Sequence, residues 1–364
     1  MTEAPQTLPS SSHWCSIDIA RGIAAVAVLC THWAHSQLPL CPALMINIGR
    51  LGVDVFFILS GALITLAVGR PKIFDFKRFS IQRIRRIVPC YFASIILIIA
   101  LVKAQLLMEP KGMLNVLSHL TFTHAFFSHH VTAINSPYWT LSHEWFFYLA
   151  AGMSAFVLRS RRPWIFGLCL IIIGLTFRFN LAQKWWEPET MVMHPLGMLI
   201  QFGVGSLLGS YLPSLLVILR KKTKLSLLTL ASCLVLLAIA VMRFYRFGDA
   251  WDTKRSMLLV FPFLISIPIA GLLALGMAWD EKVAKTTRWT PLPWIGQISY
   301  SLYIWHVPIM HSWARSLKKS AMCNHPLLST TLLMSVILAV ASLSYYLIEK
   351  PFLSQRQTTR RVPT

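Results

Sequence analysis

Apolar segments of roughly 18 residues or more recur along the whole chain and restrict its fold more than any other feature. Within hydrocarbon each backbone N–H and C=O needs a partner inside its own segment, so such segments fold as helices. Hydrophobic residues make up 55% of the chain and charged residues 13%, whereas a typical soluble domain carries about 25% charged residues. The sequence therefore predicts an all-α fold, a polytopic integral membrane helical bundle.

The apolar segments predict about ten transmembrane helices, with both chain termini in the cytoplasm. Basic residues concentrate in alternate connections, such as residues 70–86, and the positive-inside rule places those connections on the cytoplasmic side. This distribution, together with attraction to anionic lipid, accounts for most of the net charge of +21, so no nucleic-acid partner is predicted. The predicted spans are residues 17–36, 52–69, 87–107, 138–158, 164–181, 194–213, 225–242, 256–279, 295–313 and 327–347. The predicted domains are a cytoplasmic N-terminal tail (1–16), a membrane domain (17–350) and a cytoplasmic C-terminal tail (351–364).

The first predicted span contains RGIAAVAVLCTHWAH at residues 21–35, which holds one arginine and two histidines. Arg21 and His32 are eleven residues apart, close to three helical turns, so they share one helix face. Ionisable groups within a span usually face the bundle interior, a cavity or a partner. We interpret His32 as a catalytic candidate, with packing through a hydrogen bond as the alternative. His35 is unassigned.

Two carboxylates are predicted near the depth of His32. Asp54 lies near the outer end of the second span, in LGVDVFFILSGALI, and Glu144 lies within the fourth, in NSPYWTLSHEWFFYLA. A carboxylate at that depth orients an imidazole and raises its basicity, so both residues are candidate catalytic groups. For Asp54, a helix N-terminal acid that interacts with the helix dipole is an equal alternative.

Arginines precede the third span in FKRFSIQRIRRIVPCY, residues 76–91. Arg83 and Arg86 are one turn apart on one helix face, and Arg78 precedes them by a little over one turn. Guanidinium groups suit phosphate and pyrophosphate, so these three residues and Arg21 are candidate ligands for a phosphorylated cofactor. Anchoring of the span by the positive-inside rule is the alternative.

Four further residues are candidate substrate contacts near the outer side. Tyr303 and His306 lie one turn apart in WIGQISYSLYIWHVPIM, residues 294–310. Trp139 suits stacking on a sugar ring, and Arg178 ends the fifth span. Packing, an interfacial aromatic belt and a snorkelling arginine are the respective alternatives.

No metal site is predicted. Histidines at positions 119, 124, 129 and 130 lie in a long outer loop, residues 108–137, but they lack the compact spacing of a zinc motif. The seven cysteines also show no C-x-x-C spacing, and a Cys41–Cys323 disulfide stays open because spacing alone cannot establish bonding distance.

Together these motifs resemble the acyltransferase family 3 membrane proteins. The matching pieces are Arg21-x10-His32, GVDVFFILSGALI, R-x-x-R-I-x-P from Arg83 to Pro89, YWTLSHEWFFYL, ISYSLYIWH and the terminal IEKPF. Each piece is weak alone, but their order and spacing cover almost the whole chain. The fourth piece departs from the W-S-L-x-x-E of many relatives by having Thr140 after Trp139.

The resemblance implies an O-acyltransferase of the bacterial cytoplasmic (inner) membrane. Such an enzyme moves an acyl group, typically acetyl, from cytoplasmic acetyl-CoA to a hydroxyl of an extracytoplasmic or lipid-linked carbohydrate, with no metal or prosthetic group. By the same resemblance His32 is the essential first-helix histidine, Arg21 is its motif partner, and Arg83 with Arg86 is the third-helix arginine pair. The identity of the carbohydrate and the choice between proton base and acyl-histidine relay stay open.

Other classes of membrane protein would also place ionisable groups inside spans. A transporter or flippase for a polar envelope substrate is the main alternative, although we find no repeated halves or matching broken helices. A haem or quinone protein would use facing histidines as axial ligands, for which only His32 and His306 are available. A non-enzymatic scaffold leaves His32, Asp54 and Glu144 without a role.

Overall fold

The protein folds as an all-α polytopic membrane bundle, as the apolar segments predict. The computed structural model describes residues 14–36, 38–40, 49–71, 73–183, 193–247, 258–317 and 324–354, and these ranges contain no strand. Their α-helices are α1 (Cys15–His35), α2 (Arg50–Gly69), α3 (Phe76–Val102), α4 (Pro110–Leu120), α5 (Trp139–Met153), α6 (Ala155–Leu158), α7 (Trp164–Ala182), α8 (Leu199–Lys221), α9 (Thr223–Phe247), α10 (Phe261–Ala278), α11 (Asp280–Thr287), α12 (Leu292–Gln297), α13 (Ser299–Leu317), α14 (Pro326–Ser344) and α15 (Lys350–Ser354). Short 3₁₀ segments cover Ala104–Leu107, His124–Phe126, Ser136–Tyr138 and Pro195–Met198, and a π-helical turn covers Tyr345–Glu349.

Eight of the described helices are long and apolar enough to cross a membrane. The predicted spans 138–158 and 295–313 do not meet that criterion. The first forms α5, which has 15 residues and ends before Ser154. At the usual helical rise this helix is about 22 Å long. The second forms α13, which has 19 residues but carries many polar side chains on its buried face. Both pack within the protein, so they need less apolar surface than a helix in contact with lipid.

The third predicted span begins earlier than its apolar run. Helix α3 starts at Phe76, because the Asp75 side chain accepts a hydrogen bond from the Arg78 backbone N–H at 3.0 Å and caps the helix. The arginine-rich stretch therefore continues the same helix as the apolar run. This continuity fixes the direction in which Arg83 and Arg86 point relative to the bundle.

Small residues bring the central helices close together. A Cβ atom on Gly61 of α2 would collide with the Phe202 carbonyl of α8, and one on Gly205 would collide with the Ile58 carbonyl of α2. Next to this crossing the hydroxyls of Thr65 and Ser206 are 2.6 Å apart. Helices in lipid associate through such close backbone contacts and interhelical hydrogen bonds.

The same device fixes α1 against the segment before α13. A Cβ atom on Gly296 of α12 would collide with the Asp18 carbonyl of α1, and one on Gly22 would lie 2.6 Å from the Leu292 carbonyl. Helix α13 follows directly and packs along α1. The polar faces of these two helices are thereby brought together.

Several sequence predictions fall outside the described residues. Cys41, Cys323 and most of the two predicted tails, residues 1–13 and 355–364, are among them. The predicted outer loop 108–137 contains α4, whose Met113, Leu114 and Leu117 are exposed.

Candidate active site

A cavity lies in the middle of the bundle, between α1, α2, α3, α5 and α13. Each of these helices contributes a polar side chain to its lining. They are Arg21 from α1, Ser60 from α2, Arg86 from α3, Glu144 from α5 and Tyr300 from α13. Three of the six motifs singled out in the sequence thus supply a charged group to one space, which we call the central cavity.

The two arginines of the central cavity have no hydrogen bond or ion pair to any described residue. Both are only partly exposed. A guanidinium removed from water normally finds hydrogen-bond partners, since its desolvation is costly. Arg21 and Arg86 therefore have the properties of ligand-binding side chains.

Glu144 balances part of this positive charge. Its Oε1 accepts a hydrogen bond from the Ser60 hydroxyl at 3.0 Å and another from Tyr148. It also interacts electrostatically with Arg21 and Arg86. The structure therefore places Glu144 with the arginines, whereas the sequence placed it at the depth of His32.

Arg83 and Arg78 precede Arg86 on α3, but neither lines the central cavity. The guanidinium of Arg83 lies over the rings of Phe79 and Tyr148, 5.4 and 5.5 Å from their centroids, and its Nε is buried without an acceptor among the described residues. Arg78 is exposed at the beginning of α3 and does not line the central cavity.

Glu349 is a charged neighbour of the central cavity that the sequence reasoning missed. This carboxylate is 4% exposed, accepts a hydrogen bond from the Ser301 hydroxyl at 3.1 Å, and interacts electrostatically with Arg21 and Arg86. It lies in the π-helical turn Tyr345–Glu349, and such turns are frequent at functional sites. A carboxylate at the end of an apolar span, within the quoted IEKPF, was the available signal.

His32 and His306 face each other beyond the central cavity. The Nε2 atom of His306 is 3.3 Å from Nδ1 of His32, and the ring centroids are 4.9 Å apart. His306 is 1% exposed, whereas His32 is partly exposed. We call these two residues the histidine pair.

The hydrogen bonds of the pair determine which ring nitrogens carry hydrogen in the neutral form. Nδ1 of His32 is 3.0 Å from the Val28 carbonyl, and Nδ1 of His306 is 3.1 Å from the Leu302 carbonyl. Because a carbonyl only accepts, both Nδ1 atoms donate. The single Nδ1–H of His32 is then shared between the Val28 carbonyl and the unprotonated Nε2 of His306, which leaves Nε2 of His32 as a free base.

Asp54 does not supply the partner of His32 that the sequence suggested. Its Oδ1 accepts a hydrogen bond from Gln201 at 2.8 Å, and it lies in a separate cavity of about 510 Å³ that also contains Arg178 and Trp139. We call this the peripheral cavity. The second ring of the histidine pair comes from α13. The sequence predicts the depth of His306 along this helix but not which neighbouring helix it faces.

Arg178 lies deep in the protein, 2% exposed, and does not snorkel. Its Nε donates to the Gly197 carbonyl at 2.6 Å and its Nη1 to the Leu258 carbonyl at 3.2 Å. It also interacts electrostatically with Asp54. These contacts hold the segments before α8 and α10 against α7.

Trp139 and Tyr303 occupy the edges of the two cavities. Trp139 lines the peripheral cavity and packs on Phe57, with ring centroids 6.2 Å apart. Tyr303 lines the central cavity, donates to the Pro137 carbonyl at 3.1 Å and is 2.8 Å from the Thr140 hydroxyl. Their contact with a sugar stays a prediction.

His119 and His124, in the predicted outer loop, form a buried stack with ring centroids 4.1 Å apart. Burial, with the neighbouring ring, lowers the pKa of His119 to about 3, and burial lowers the pKa of His124 to about 4. Each ring donates to a backbone carbonyl, of Asn115 and Tyr138 respectively. Among the described residues no group of three or more His, Cys, Asp or Glu side chains is placed to hold a metal ion.

Comparison with known proteins identifies the family of the chain. Residues 15–346 match the sequence family described as an acyltransferase domain. No solved structure matches the chain.

Three curated proteins illustrate the relatives. YrhL of Bacillus subtilis, named as a candidate peptidoglycan O-acetyltransferase, is 27% identical over 95% of this chain. The peptidoglycan O-acetyltransferase OatA of Listeria monocytogenes is 25% identical over 81%, and the exopolysaccharide production protein ExoZ of Rhizobium meliloti is 28% identical over 87%. The matches span 56%, 49% and 93% of those proteins respectively, so this chain covers only about half of the first two.

Proposed function

This chain belongs to the acyltransferase domain family, and on that premise we propose that it O-acetylates a carbohydrate across a bacterial inner membrane. The acyl donor is acetyl-CoA from the cytoplasm, and the acceptor is a hydroxyl of an extracytoplasmic or lipid-linked glycan. The names of the relatives support acetyl transfer to an envelope polysaccharide. The observation that carries the proposal is the histidine pair, which has a free base and lies beside a cavity whose two arginines make no hydrogen bond to a described residue.

The central cavity is the proposed donor site. Arg21 and Arg86 take the phosphates of acetyl-CoA, with Arg83 beside them, because planar guanidinium groups form paired hydrogen bonds to phosphate. The positive-inside rule puts this part of α1 and α3 toward the cytoplasm, where acetyl-CoA is available. The distance from Arg21 to His32 along α1, about 16 Å, gives the extended pantetheine arm room to bring the thioester to the histidine pair.

The chemistry follows from the ring nitrogens of the pair. Nε2 of His32 takes the proton of the acceptor hydroxyl as its oxygen attacks the thioester carbonyl, and the resulting imidazolium is stabilised by its Nδ1–H bond to His306. The tetrahedral intermediate then releases the coenzyme A thiolate, which receives the same proton from His32. The products are the O-acetylated carbohydrate and coenzyme A.

The same residues allow an acyl relay, in which Nε2 of His32 attacks the thioester first and then passes the acetyl group to the hydroxyl. The two routes differ in whether label from acetyl-CoA becomes attached to the protein without acceptor. Purified protein incubated with radiolabelled acetyl-CoA alone distinguishes them: label on wild type that is absent from His32→Ala establishes the relay, and unlabelled wild type establishes the direct route.

The experiment that tests the function is acetyl transfer by His32→Ala in membranes. We expect a loss of about 10²–10⁴-fold, the usual contribution of a general base, with unchanged insertion and thermal unfolding. His129→Ala, which removes an exposed imidazole from the predicted outer loop, serves as the matched control and keeps activity. Undiminished carbohydrate acetylation in His32→Ala would refute the assignment.

A further inference from the structure

An aromatic ring lies between the central cavity and the histidine pair. Tyr303 is the last residue of α13 that lines the cavity, and His306 follows about one helical turn later. The centroids of these two rings are 5.9 Å apart, but neither His306 nor His32 lines the cavity. A thioester bound in the central cavity therefore has to pass Tyr303 to reach the histidine pair.

Phe56 of α2 lies opposite Tyr303. The two ring centroids are 6.1 Å apart and the ring planes are inclined by 72°. Phe56 lines the central cavity and also packs against the buried cluster that contains Leu29 of α1 and Leu302 of α13. Leu29 and Leu302 are each about one turn from a member of the histidine pair. Phe56 thus contacts both the cavity and the surroundings of the histidine pair, and we call Phe56 and Tyr303 the aromatic pair.

The two members of the aromatic pair are held in different ways. The hydroxyl of Tyr303 donates to the Pro137 carbonyl at 3.1 Å, and the Thr140 hydroxyl is 2.8 Å from the Tyr303 oxygen. Tyr303 is also buried, so both hydrogen bonding and packing fix its ring. Phe56 is a hydrocarbon side chain that only packing holds, and it is partly exposed. The size of the gap can therefore be changed at Phe56 without leaving a polar group unpaired.

The end of the central cavity beside the aromatic pair carries no charge. Val53 and Thr140 complete the lining there, and no charged side chain is among the described residues of this end. Glu144, the charged lining group of α5, lies about one turn deeper than Thr140. An acyl group brought to this end would meet hydrocarbon, aromatic rings and hydroxyls. Because no cation is available, a second carboxylate on the acyl group would be desolvated without a partner.

We propose that the aromatic pair selects the acyl group of the donor. It admits a small, uncharged acyl group such as acetyl to the histidine pair, and it excludes longer chains by size and succinyl by charge. Phe56 sets the size limit, because the carbonyl carbon reaches His32 through the gap between the rings and the rest of the acyl group has to fit in the same gap. This inference rests on the proposed function, in which the donor is an acyl-CoA bound in the central cavity.

Acyl preference can be measured by competition between donors. Membranes that contain the protein, with envelope polysaccharide of its own bacterium, are given equal concentrations of acetyl-CoA and butyryl-CoA, and mass spectrometry counts the two esters. The product ratio equals the ratio of the two kcat/KM values, so it does not depend on the amount of folded protein. We expect Phe56→Ala to raise the butyryl-to-acetyl ratio by about tenfold or more, since an apolar pocket discriminates a single methylene by about 10–200-fold.

Leu63→Ala is the matched control. Leu63 lines the same cavity from α2, about 10 Å from Phe56 along the helix. Its truncation enlarges the cavity away from the aromatic pair and should leave the product ratio as in wild type. Phe56→Leu should shift the ratio in the same direction as Phe56→Ala but by less, and it decides the question if Phe56→Ala does not insert. Succinyl-CoA should remain a poor donor for Phe56→Ala, because a wider apolar gap supplies no cation.

The outcomes separate this inference from the proposed function. If wild type transfers acetyl and the Phe56 and Leu63 substitutions leave the same product ratio, the aromatic pair does not select the acyl group and the proposed function stands. Equal transfer of butyryl and acetyl by wild type would overturn the inference in the same way. Efficient succinyl transfer by Phe56→Ala would refute selection by charge. If wild type forms no ester from acetyl-CoA, the proposed function is wrong and the inference is wrong with it.

Discussion

The central and peripheral cavities each contain arginine and a nearby carboxylate, but the arginines differ in their hydrogen bonds. In the peripheral cavity Arg178 donates to two backbone carbonyls, and Asp54 accepts from Gln201. In the central cavity Arg21 and Arg86 make no such bond to a described residue. The first arrangement ties segments of the chain together, and the second leaves its donors available.

This difference suggests separate roles for charged side chains inside a membrane protein: some hold the fold together, and others are available to bind a ligand. Removing a hydrogen-bonded buried charge leaves its partners unpaired and lowers stability. Arginine donors that make no hydrogen bond to the protein next to a cavity are candidates for binding a ligand. Loss of an arginine should therefore lower stability at the peripheral cavity and donor binding at the central cavity.

The largest effect on stability is expected at the peripheral cavity. Arg178→Leu removes the donors of the Gly197 and Leu258 carbonyls and the neighbouring charge of Asp54. We expect the free energy of unfolding to fall by about 3 kcal/mol or more, since a hydrogen bond from a charged group contributes about 1.5–3 kcal/mol. Thermal unfolding in detergent measures it. A variant as stable as wild type would contradict a structural role for Arg178.

At the central cavity the loss should appear in donor binding. Arg86→Gln is expected to raise the KM for acetyl-CoA by about 10–100-fold, the equivalent of one charged hydrogen bond, with the unfolding free energy within about 1 kcal/mol of wild type. Initial rates at varied donor and varied acceptor concentration measure it. Lys77→Gln, an exposed cation on the same helix, is the control. An equal loss for donor and acceptor would indicate that Arg86 only anchors α3.

The smallest expected effect is the coupling energy between two side chains of the same cavity, which should have opposite signs in the two cavities. A double-mutant cycle of Asp54→Ala and Gln201→Leu should give a favourable interaction of about 1 kcal/mol, because their side chains are hydrogen-bonded. A cycle of Arg21→Gln and Arg86→Gln should give an unfavourable one, because their like charges repel in the unliganded protein. Equal signs in the two cycles, measured by thermal unfolding, would contradict the distinction between the cavities.

The fold was largely predictable because each long apolar segment must form a helix in the membrane. The prediction was less accurate for α5 and α13, which pack within the protein. Helix α5 is shorter, and α13 is more polar, than a helix that spans the membrane in contact with lipid. The site was partly predictable for a similar reason. An ionisable group within a span is costly wherever it lies, so Arg21, His32 and Glu144 stood out before their neighbours were known. Arg86 stood out by its spacing from Arg83 on one helix face.

The sequence by itself determined that this is a membrane acyltransferase domain, which side chains are out of place in hydrocarbon, and which of them share a helix face. Helical periodicity is enough for that, because it relates residues of one helix. Only the tertiary structure decided that His32 pairs with His306 and that Glu144 and Glu349 join Arg21 and Arg86, while Asp54 goes with Arg178. Depth along a helix does not fix rotation about its axis, and the glycine contacts that set this rotation lie on the neighbouring helices.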